Sequence, residues 1–600
     1  MRKISSLIKV LKSKSPKYIL FRSKYEIERR SGLLAGKFPT SPKSVKLPTL
    51  SEWRDSSVQY LFNNRESLKV PKVTSDKLKG EAERVLRGEV QLFSCEWYSI
   101  GLNPDWVTNP SNGYRYDANK HWTKVADLDK EAGDIKFTWE PSRFSFLYTI
   151  VKYDYAFDED HSDWVIGRIL DWIDKNPLNC GPNYKCSQEI SLRVLNWLFA
   201  LNFYRDSKAL TGEVWQKVIR SIYWQIHHVR KNINFSRISV RNNHAITETL
   251  TLYLIGLLFP SFPGASEWKR KGKKWFEQEI EYQFEPDGTY LQNSMNYQRV
   301  VTQLLTLAIA LADRNGETFS KVVYDRAYAN LNFLYQCMDD KTGMLPNYGS
   351  NDGALFFQCH NQDYCDYRPQ IQDLEDLLVK KGYPKLEKKQ GLVVFDKGGY
   401  FLFREDNTLT FIRCGGFKGG YPPDQLHIDI WKDGENLLMD GGTFKYNTED
   451  RLVKYFAGTE SHNTVMLNDS DQKLKGPRFM WFYPLTVEEA AVKENEEAYM
   501  FEGKIWAFKN LAPDIHLTRN IVKFKNKDCW EITDSISGET DDLVMRQLWH
   551  TCADSVKFES DATQSSSIGH YSRYYGSMKD SCQIEFHTKE NKITTKLYIK

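Results

Sequence analysis

The stretch from Leu392 to Arg413 decides the predicted fold, because the pattern of apolar residues changes there. It contains three short apolar runs, Leu392–Phe395 (LVVF), Tyr400–Phe403 (YFLF) and Thr410–Arg413 (TFIR). Glycine, Asp and Asn residues separate these runs. Short apolar runs between such turn residues are typical of β-strands.

The same pattern continues towards Lys600. The run His427–Trp431 is followed by the dipeptide Asp433-Gly434 and then by Leu437–Met439. Asp-Gly between two strand-like runs indicates a β-hairpin. We therefore predict a domain of strands over residues 386–600.

Before this stretch the apolar residues have helical spacing. Between about residues 134 and 340, many segments carry an apolar residue every three or four positions, as Ile190, Val194, Trp197 and Leu201 do. Short loops with Asn, Pro and Gly separate these segments. Successive amphipathic helices with short connections indicate antiparallel pairs, in a bundle or a toroid. Helices first and strands afterwards indicate two domains. The boundary is predicted in the lysine-rich stretch 380–390.

Residues 1–90 are rich in lysine and interrupted by proline, and we expect them to lie over the main body. The first 30 residues are basic and mildly amphipathic. Lys9, Lys12 and Lys14 interrupt the apolar run, and no small-residue cleavage site follows, so this is not a standard secretory signal. We expect a cytoplasmic or membrane-peripheral protein rather than a secreted one. No stretch approaches 18 apolar residues, so no transmembrane segment is expected.

Composition excludes little. The 600 residues include 82 Lys plus Arg and 78 Asp plus Glu, and a net charge of +4 does not favour a nucleic-acid partner. Aromatic residues make up 14%, which suits sugar stacking but more often reflects a large core. The ten cysteines form no C-x-x-C pair, so reduced thiols are the default.

Several common motifs are missing from the sequence. It has no P-loop, no GxGxxG after a strand, no HExxH and no GxSxG. This excludes the commonest nucleotide-binding, metalloprotease and esterase signatures, and we expect no organic cofactor. A pair of glycosidase carboxylates remains open.

Two polar clusters stand beside predicted helices. The run Arg241–His244 (RNNH) directly precedes an apolar helix, where its Asn residues are either caps or hydrogen-bond donors to a ligand. Asp287-Gly288 leads into a segment with Tyr297 and Arg299. A tyrosine close to cations can have a lowered pKa and act as a base, although a lone tyrosine is usually structural.

A third cluster lies among the strands. His427 and Asp429 share one face of a strand, and Asp440 and His462 follow on later segments. Two carboxylates and a histidine can bind a divalent metal through mixed N and O ligands. A polar network without metal is an equal alternative.

The order of these motifs resembles the heparinase II/III-like polysaccharide lyase family. The resemblance starts at Asp134–Arg143 (DIKFTWEPSR) and covers roughly residues 90–470. Its later parts are, in order, Asn243-His244, Asp287-Gly288, Tyr297, His427-x-Asp429, Asp440-x-Gly442 and His462-Asn463-Thr464.

The resemblance implies a fold and an activity. The fold is α+β and multidomain, with a basic extension over residues 1–90, an incomplete (α/α) toroid over 91–385 and an antiparallel β-sandwich over 386–600. The activity is cleavage of a uronate-containing acidic glycan by β-elimination. A uronate C5-epimerase and a non-catalytic glycan-binding or assembly protein remain alternatives. The resemblance does not predict which glycan is cleaved, whether cleavage is endo or exo, or the oligomeric state.

The resemblance also implies roles for individual residues. Asn243 and His244 neutralise the uronate carboxylate, Tyr297 is the proton donor or base, His427 completes the site, and Tyr446 is a second tyrosine. One structural divalent metal, Zn or Ca, is expected on Asp429, Asp440 and His462. Gln298 departs from the family pattern, since many relatives have His there. The expected substrate contacts are Arg241, Asn242, Arg299, Glu140 and Arg143.

Overall fold

The computed structural model describes residues 14–126, 128–416, 422–540 and 542–600. The predicted order of the two parts is confirmed: apart from one short hairpin, helices occupy the chain up to Val379, and strands follow from Gly391. One further short helix lies among the strands. The helices are α1 Pro16–Arg30, α2 Leu33–Gly36, α3 Leu50–Arg54, α4 Asp76–Leu86, α5 Lys136–Arg143, α6 Leu147–Phe157, α7 Ser162–Lys175, α8 Ser187–Phe203, α9 Gly212–Asn234, α10 Asn243–Leu258, α11 Ala265–Gln283, α12 Met295–Arg314, α13 Lys321–Cys337, α14 Arg368–Val379 and α15 Asp450–Ala457.

The strands pair antiparallel throughout the described sheets. Their orders are β3-β4-β5-β6-β7, β11-β12-β13-β14-β19-β16 and β17-β18-β15-β8, with two small hairpins, β1-β2 and β9-β10. The strands are β1 Glu89–Leu92, β2 Glu96–Ser99, β3 Gly391–Phe395, β4 Tyr400–Glu405, β5 Thr408–Arg413, β6 His427–Lys432, β7 Glu435–Leu438, β8 Val465–Leu467, β9 Leu474–Lys475, β10 Trp481–Phe482, β11 Thr486–Glu494, β12 Ala498–Trp506, β13 His516–Phe524, β14 Cys529–Ser537, β15 Met545–Thr551, β16 Val556–Ser560, β17 Thr563–Tyr571, β18 Lys579–Thr588 and β19 Lys592–Ile599.

The five-stranded sheet β3–β7 joins the two domains, because both of its faces are buried. Leu402 and Phe411 belong to the core of the helical domain, whereas Phe403, Ile412 and Ile430 belong to the core of the other sheets. Burial on two faces explains why its strands read as continuous apolar runs rather than as an alternation. The predicted Asp433-Gly434 hairpin is confirmed by the pairing of β6 with β7.

From residue 14 onwards, the N-terminal segment packs on the helical domain. Trp53 stacks on Trp215 of α9 at 4.3 Å between ring centroids, and Tyr25 packs on Phe235 at 5.0 Å. No residue of α1 is fully buried. Among the described helices, none combines the length and apolarity that a bilayer crossing requires.

The close crossing of α10 and α11 depends on two glycines. A methyl group added at Gly272 would lie 2.4 Å from the backbone nitrogen of Tyr253, and one at Gly256 would lie 2.4 Å from that of Lys269. Backbone atoms cannot rotate away, so the two helices must separate to admit either methyl group.

We expect Gly272→Ala to destabilise the protein by about 1–3 kcal/mol, the usual cost of overpacking. The matched control is Gly167→Ala in α7, where an added methyl group meets nothing within 4 Å. That change should leave the unfolding temperature unchanged or raise it, since alanine favours helix over glycine. Thermal unfolding followed by circular dichroism measures both, and equal midpoints for the two variants would refute the close-packing argument.

Candidate active site

Two tyrosines from different domains meet at the domain junction. Tyr297 lies in the first turn of α12, where its backbone N–H donates to the capping Ser294 hydroxyl. Tyr446 lies after β7 in the strand-rich domain. Their hydroxyl oxygens are 2.8 Å apart, so one hydroxyl donates to the other.

A buried ion pair adjoins these tyrosines. The Lys136 ammonium lies 2.6 Å from Oδ2 of Asp352 and 5.4 Å from the centre of the Tyr446 ring. Oδ1 of Asp352 is buried and accepts no hydrogen bond from the described residues. A buried carboxylate oxygen without a full donor is costly, and the Tyr297 hydroxyl partly compensates, since it helps to lower the pKa of Asp352.

The two phenols are held in their neutral form. Burial, helped by the charge of Asp352, raises the pKa of Tyr297 well above its usual value. The same causes raise the pKa of Tyr446, although Lys136 offsets part of the shift. The lowered pKa considered for Tyr297 is therefore wrong, because the nearby cation, Lys136, is paired with Asp352. Burial alone would raise the pKa of Asp352, but Lys136 lowers it below the usual value, so Asp352 is the ionised group.

Neutral hydrogen-bond donors lie near Lys136, at the start of α10. Asn242 caps α10 by accepting from the His244 backbone N–H at 3.0 Å. Burial, and secondarily Lys136, lowers the pKa of His244 to about 4, so its imidazole is uncharged at neutral pH. Asn243 is the first residue of the same helix, and the N–H groups of Asn243 and His244 already donate to Gln292 and Asn242, so the helix N-terminus favours an anion only through its dipole.

Glu140 and Arg143 form a buried ion network rather than an exposed binding surface. Arg143 makes two parallel hydrogen bonds of 2.9 Å to Glu189 and also pairs with Glu140. Burial raises the pKa of Glu140 to about 7, although Arg143 opposes the shift. Charges in this network shift the pKa values of His244 and Asp352, so the network borders the site.

The other expected substrate contacts have structural partners. Arg241 stacks on the Tyr282 ring at 3.3 Å and pairs with Glu279 at 3.2 Å. Arg299 is only 1% exposed and lies between the rings of Tyr364 and Tyr367, at 4.2 and 4.1 Å. The structure thus places Arg299 in the core, where a glycan has no access.

A second polar group, buried in the strand-rich domain, contains His427. Nδ1 of His427 accepts from the Asn463 backbone N–H at 3.0 Å, and its Nε2 lies 3.9 Å from Oδ2 of Asp440. That oxygen is 2.8 Å from Nδ1 of His462. Arg519 donates to the carbonyls of Leu426 and Asn463, which fixes the segments that carry both histidines.

The ligand set expected in this region needs correction, whereas the catalytic role of His427 stays a prediction. His427 contacts Asp440, His462, Asn463 and Tyr348, and its described contacts do not include Tyr297. The group that could bind a metal ion consists of His427, Asp440 and His462, with His427 in place of Asp429. Its ligand atoms all lie within 4.8 Å of one another.

The carboxylate of Asp429 is occupied elsewhere. Its Oδ1 accepts from the Asn436 amide at 2.6 Å, and its Oδ2 accepts from the Asp440 backbone N–H at 3.3 Å. It positions Asp440 rather than joining the group. The buried Nε2 of His427, which has no hydrogen-bond partner among the described residues, is the atom that a metal ion would satisfy.

An exposed aromatic side chain borders the tyrosine pair. Phe479, at the tip of the β9–β10 hairpin, is 68% exposed, and its ring meets the Tyr446 ring edge-on at 5.2 Å. Sequence reasoning missed Phe479, Lys136 and Asp352. Lys136 lies inside the motif Asp134–Arg143, whereas the other two carry no sequence signal.

Comparisons with known proteins agree with this arrangement. The family description heparinase II/III N-terminus matches residues 58–340, and heparinase II/III-like, C-terminal matches residues 387–597. A heparin-sulfate lyase of Bacteroides stercoris is 23% identical over 411 residues, which cover 60% of this chain and 57% of that protein. The chain thus aligns with little more than half the length of that curated relative.

Solved structures share the fold. Heparinase III superposes with a TM-score of 0.68 at 14% identity, covering 92% of this chain and 88% of that one. The heparan sulfate lyase HepC from Pedobacter heparinus gives 0.55 at 16% identity, covering 92% and 87%. The expected toroid followed by an antiparallel β-sandwich is confirmed. Together, the two matched regions and the shared fold establish that the chain belongs to the heparinase II/III-like family.

Proposed function

We propose that this protein is a polysaccharide lyase that cleaves a uronate-containing acidic glycan by β-elimination. The observation that carries the proposal is the hydrogen-bonded pair Tyr297–Tyr446 at the domain junction, beside Lys136 and Asp352. Family membership supports it, as do the heparin-sulfate lyase and heparan sulfate lyase activities named for the relatives.

Carboxylate neutralisation is the first requirement. Removing the C5 proton of a uronate places further negative charge on an anionic carboxylate, so donors must be aimed at that charge. Neutral His244 and the Asn243 side-chain amide would supply hydrogen bonds, the dipole of α10 would favour the anion, and Lys136 would supply the positive charge. Their burial strengthens each interaction, because the local dielectric constant is low.

Proton transfer follows through the tyrosine pair. The C5 proton passes to the Tyr297 oxygen as the Tyr297 proton passes to Tyr446, and the Tyr446 proton passes to the departing O4 as the C4–O4 bond breaks. The electron pair of the C5–H bond becomes the C4–C5 double bond, so the products are an unsaturated sugar and a free hydroxyl. Ionised Asp352 stabilises the positive character that Tyr297 gains when it receives the proton.

Two other activities use the same fold. A C5-epimerase would remove the same proton and return one to the other face, and a binding protein would do neither. Incubating the protein in deuterated water with a panel of acidic glycans separates the three. A lyase gives ultraviolet absorbance from the unsaturated product, an epimerase gives deuterium at C5 without chain cleavage, and a binding protein gives neither signal.

We expect Tyr297→Phe and Tyr446→Phe each to lower the lyase rate by roughly 10²- to 10⁴-fold, the usual worth of a positioned acid–base group. If the two hydroxyls form one relay, the double variant loses little more than either single variant, since residues that act as a unit are not additive. Tyr499→Phe in β12 is the matched control and should be neutral. Full activity in either single variant would refute the proposed proton relay.

Phe479 offers its exposed ring to the apolar face of a sugar next to the uronate. We expect Phe479→Ala to raise KM roughly two- to tenfold with kcat held, the effect of losing an aromatic contact of ~0.5–1.5 kcal/mol. Phe479→Tyr keeps the ring and should keep KM. The control Ile568→Ala removes another large exposed side chain, 70% exposed in β17, and should change neither constant.

The buried group His427, Asp440 and His462 would hold one structural divalent metal ion. Two histidines and one carboxylate favour zinc over calcium, because calcium prefers oxygen ligands throughout. Such an ion would tie β6 to the segments after β7 and before β8, and no step of the elimination requires it.

Elemental analysis of the protein, purified without added metal, should give about one zinc per chain. Asp440→Asn should lose the ion, whereas Asp429→Asn should retain it, because the carboxylate oxygens of Asp429 accept from Asn436 and from the Asp440 backbone and lie outside the proposed ligand group. Equal zinc content in both variants, or none in the parent protein, would contradict this assignment.

A further inference from the structure

The positive charge of the chain is concentrated at one end. Residues 1–50 contain thirteen Lys and Arg and two Glu, whereas residues 51–600 contain 69 Lys and Arg and 76 Asp and Glu. The small net charge of +4 therefore conceals a strongly basic segment on an acidic body. Such asymmetry indicates attraction between that segment and an anionic partner.

The exposed side of α1 combines this charge with aliphatic side chains. Leu20 is 74% exposed and Ile27 66% exposed, and Leu33, just beyond the helix, is 65% exposed. Lys17 and Lys24 are also exposed and lie at helical spacing from these residues, so they share one face. Another side of α1 packs on the body through Tyr25.

The acidic residues of α1 do not cancel this charge. Glu26 pairs with Arg29 and Arg30, and Glu28 pairs with Lys37. Within the described part of the chain, Lys17 and Lys24 take part in no ion pair. Residues 1–13 add Arg2, Lys3, Lys9 and Lys12 to the sequence, together with Ile4, Leu7, Ile8, Val10 and Leu11.

We propose that this face of α1 docks the protein on an anionic lipid surface. A bilayer interface provides hydrocarbon for Leu20 and Ile27 and anionic headgroups for Lys17 and Lys24, which is the pattern of an interfacial helix. Each lysine or arginine near such a surface strengthens the attraction, and salt weakens it. An acidic glycan or a nucleic acid matches the lysines but gives exposed aliphatic side chains no hydrocarbon.

The test is sedimentation of the full-length protein with lipid vesicles. Vesicles containing phosphatidylglycerol should bind it at low salt, vesicles of phosphatidylcholine alone should not, and added salt should weaken binding. A variant with Lys17→Glu, Leu20→Ser, Lys24→Glu and Ile27→Ser should bind at least tenfold more weakly.

The matched control carries the same four changes on other surfaces. Leu102→Ser, Lys557→Glu, Ile568→Ser and Lys592→Glu replace two exposed aliphatic residues and two exposed lysines. This control should bind like the parent, and the unfolding temperatures of both variants confirm that each is folded. Unchanged binding by the α1 variant overturns the proposal. So does a parent that ignores anionic vesicles while binding acidic polysaccharide or DNA through α1.

Discussion

The structure depends on one sheet that is buried on both sides. The five strands β3–β7 face the helical core with residues such as Leu402 and Phe411 and the sandwich core with Phe403 and Ile412. Hydrophobic burial therefore fixes the sheet between the domains more firmly than a loop connection would. Because the sheet cannot slip without exposing one of its faces, the segments that follow its strands hold fixed positions at the junction, Tyr446 among them.

The buried groups at the domain junction carry little net charge. Lys136 and Asp352 compensate each other, His244 is neutral, and both tyrosines keep their protons. A buried pair costs less than a buried lone charge, but it leaves only partial charge for a ligand. An incoming substrate carboxylate would compete with Asp352 for Lys136. Substrate binding would therefore change how strongly Asp352 acts as a hydrogen-bond acceptor.

The sequence allowed prediction of the architecture for physical reasons, and it named Tyr297 and Tyr446 as candidates without predicting that they contact each other. Helical and strand periodicities follow from burial, so the transition near Leu392 is visible in the chain itself. Asn243, His244, Tyr297 and Tyr446 became candidates through the order of family motifs. Asp352 and Phe479 were not predictable, because an acid in a loop and an aromatic residue in a hairpin look like solvated turns. The misassignment of Asp429 has a similar cause: alternation places it on the face of His427, but only the fold shows that Asn436 and the Asp440 backbone occupy its oxygens.

The 2.8 Å contact between the hydroxyls of Tyr297 and Tyr446 crosses from one domain to the other. Hydrogen bonds weaken steeply beyond normal contact distance, so a separation of the two domains by about an ångström or two would break this contact. A polysaccharide cleaved as proposed would have to bind between the same two domains. For the proposed lyase, proton transfer through the two hydroxyls would therefore require the arrangement of the two domains that the structure shows.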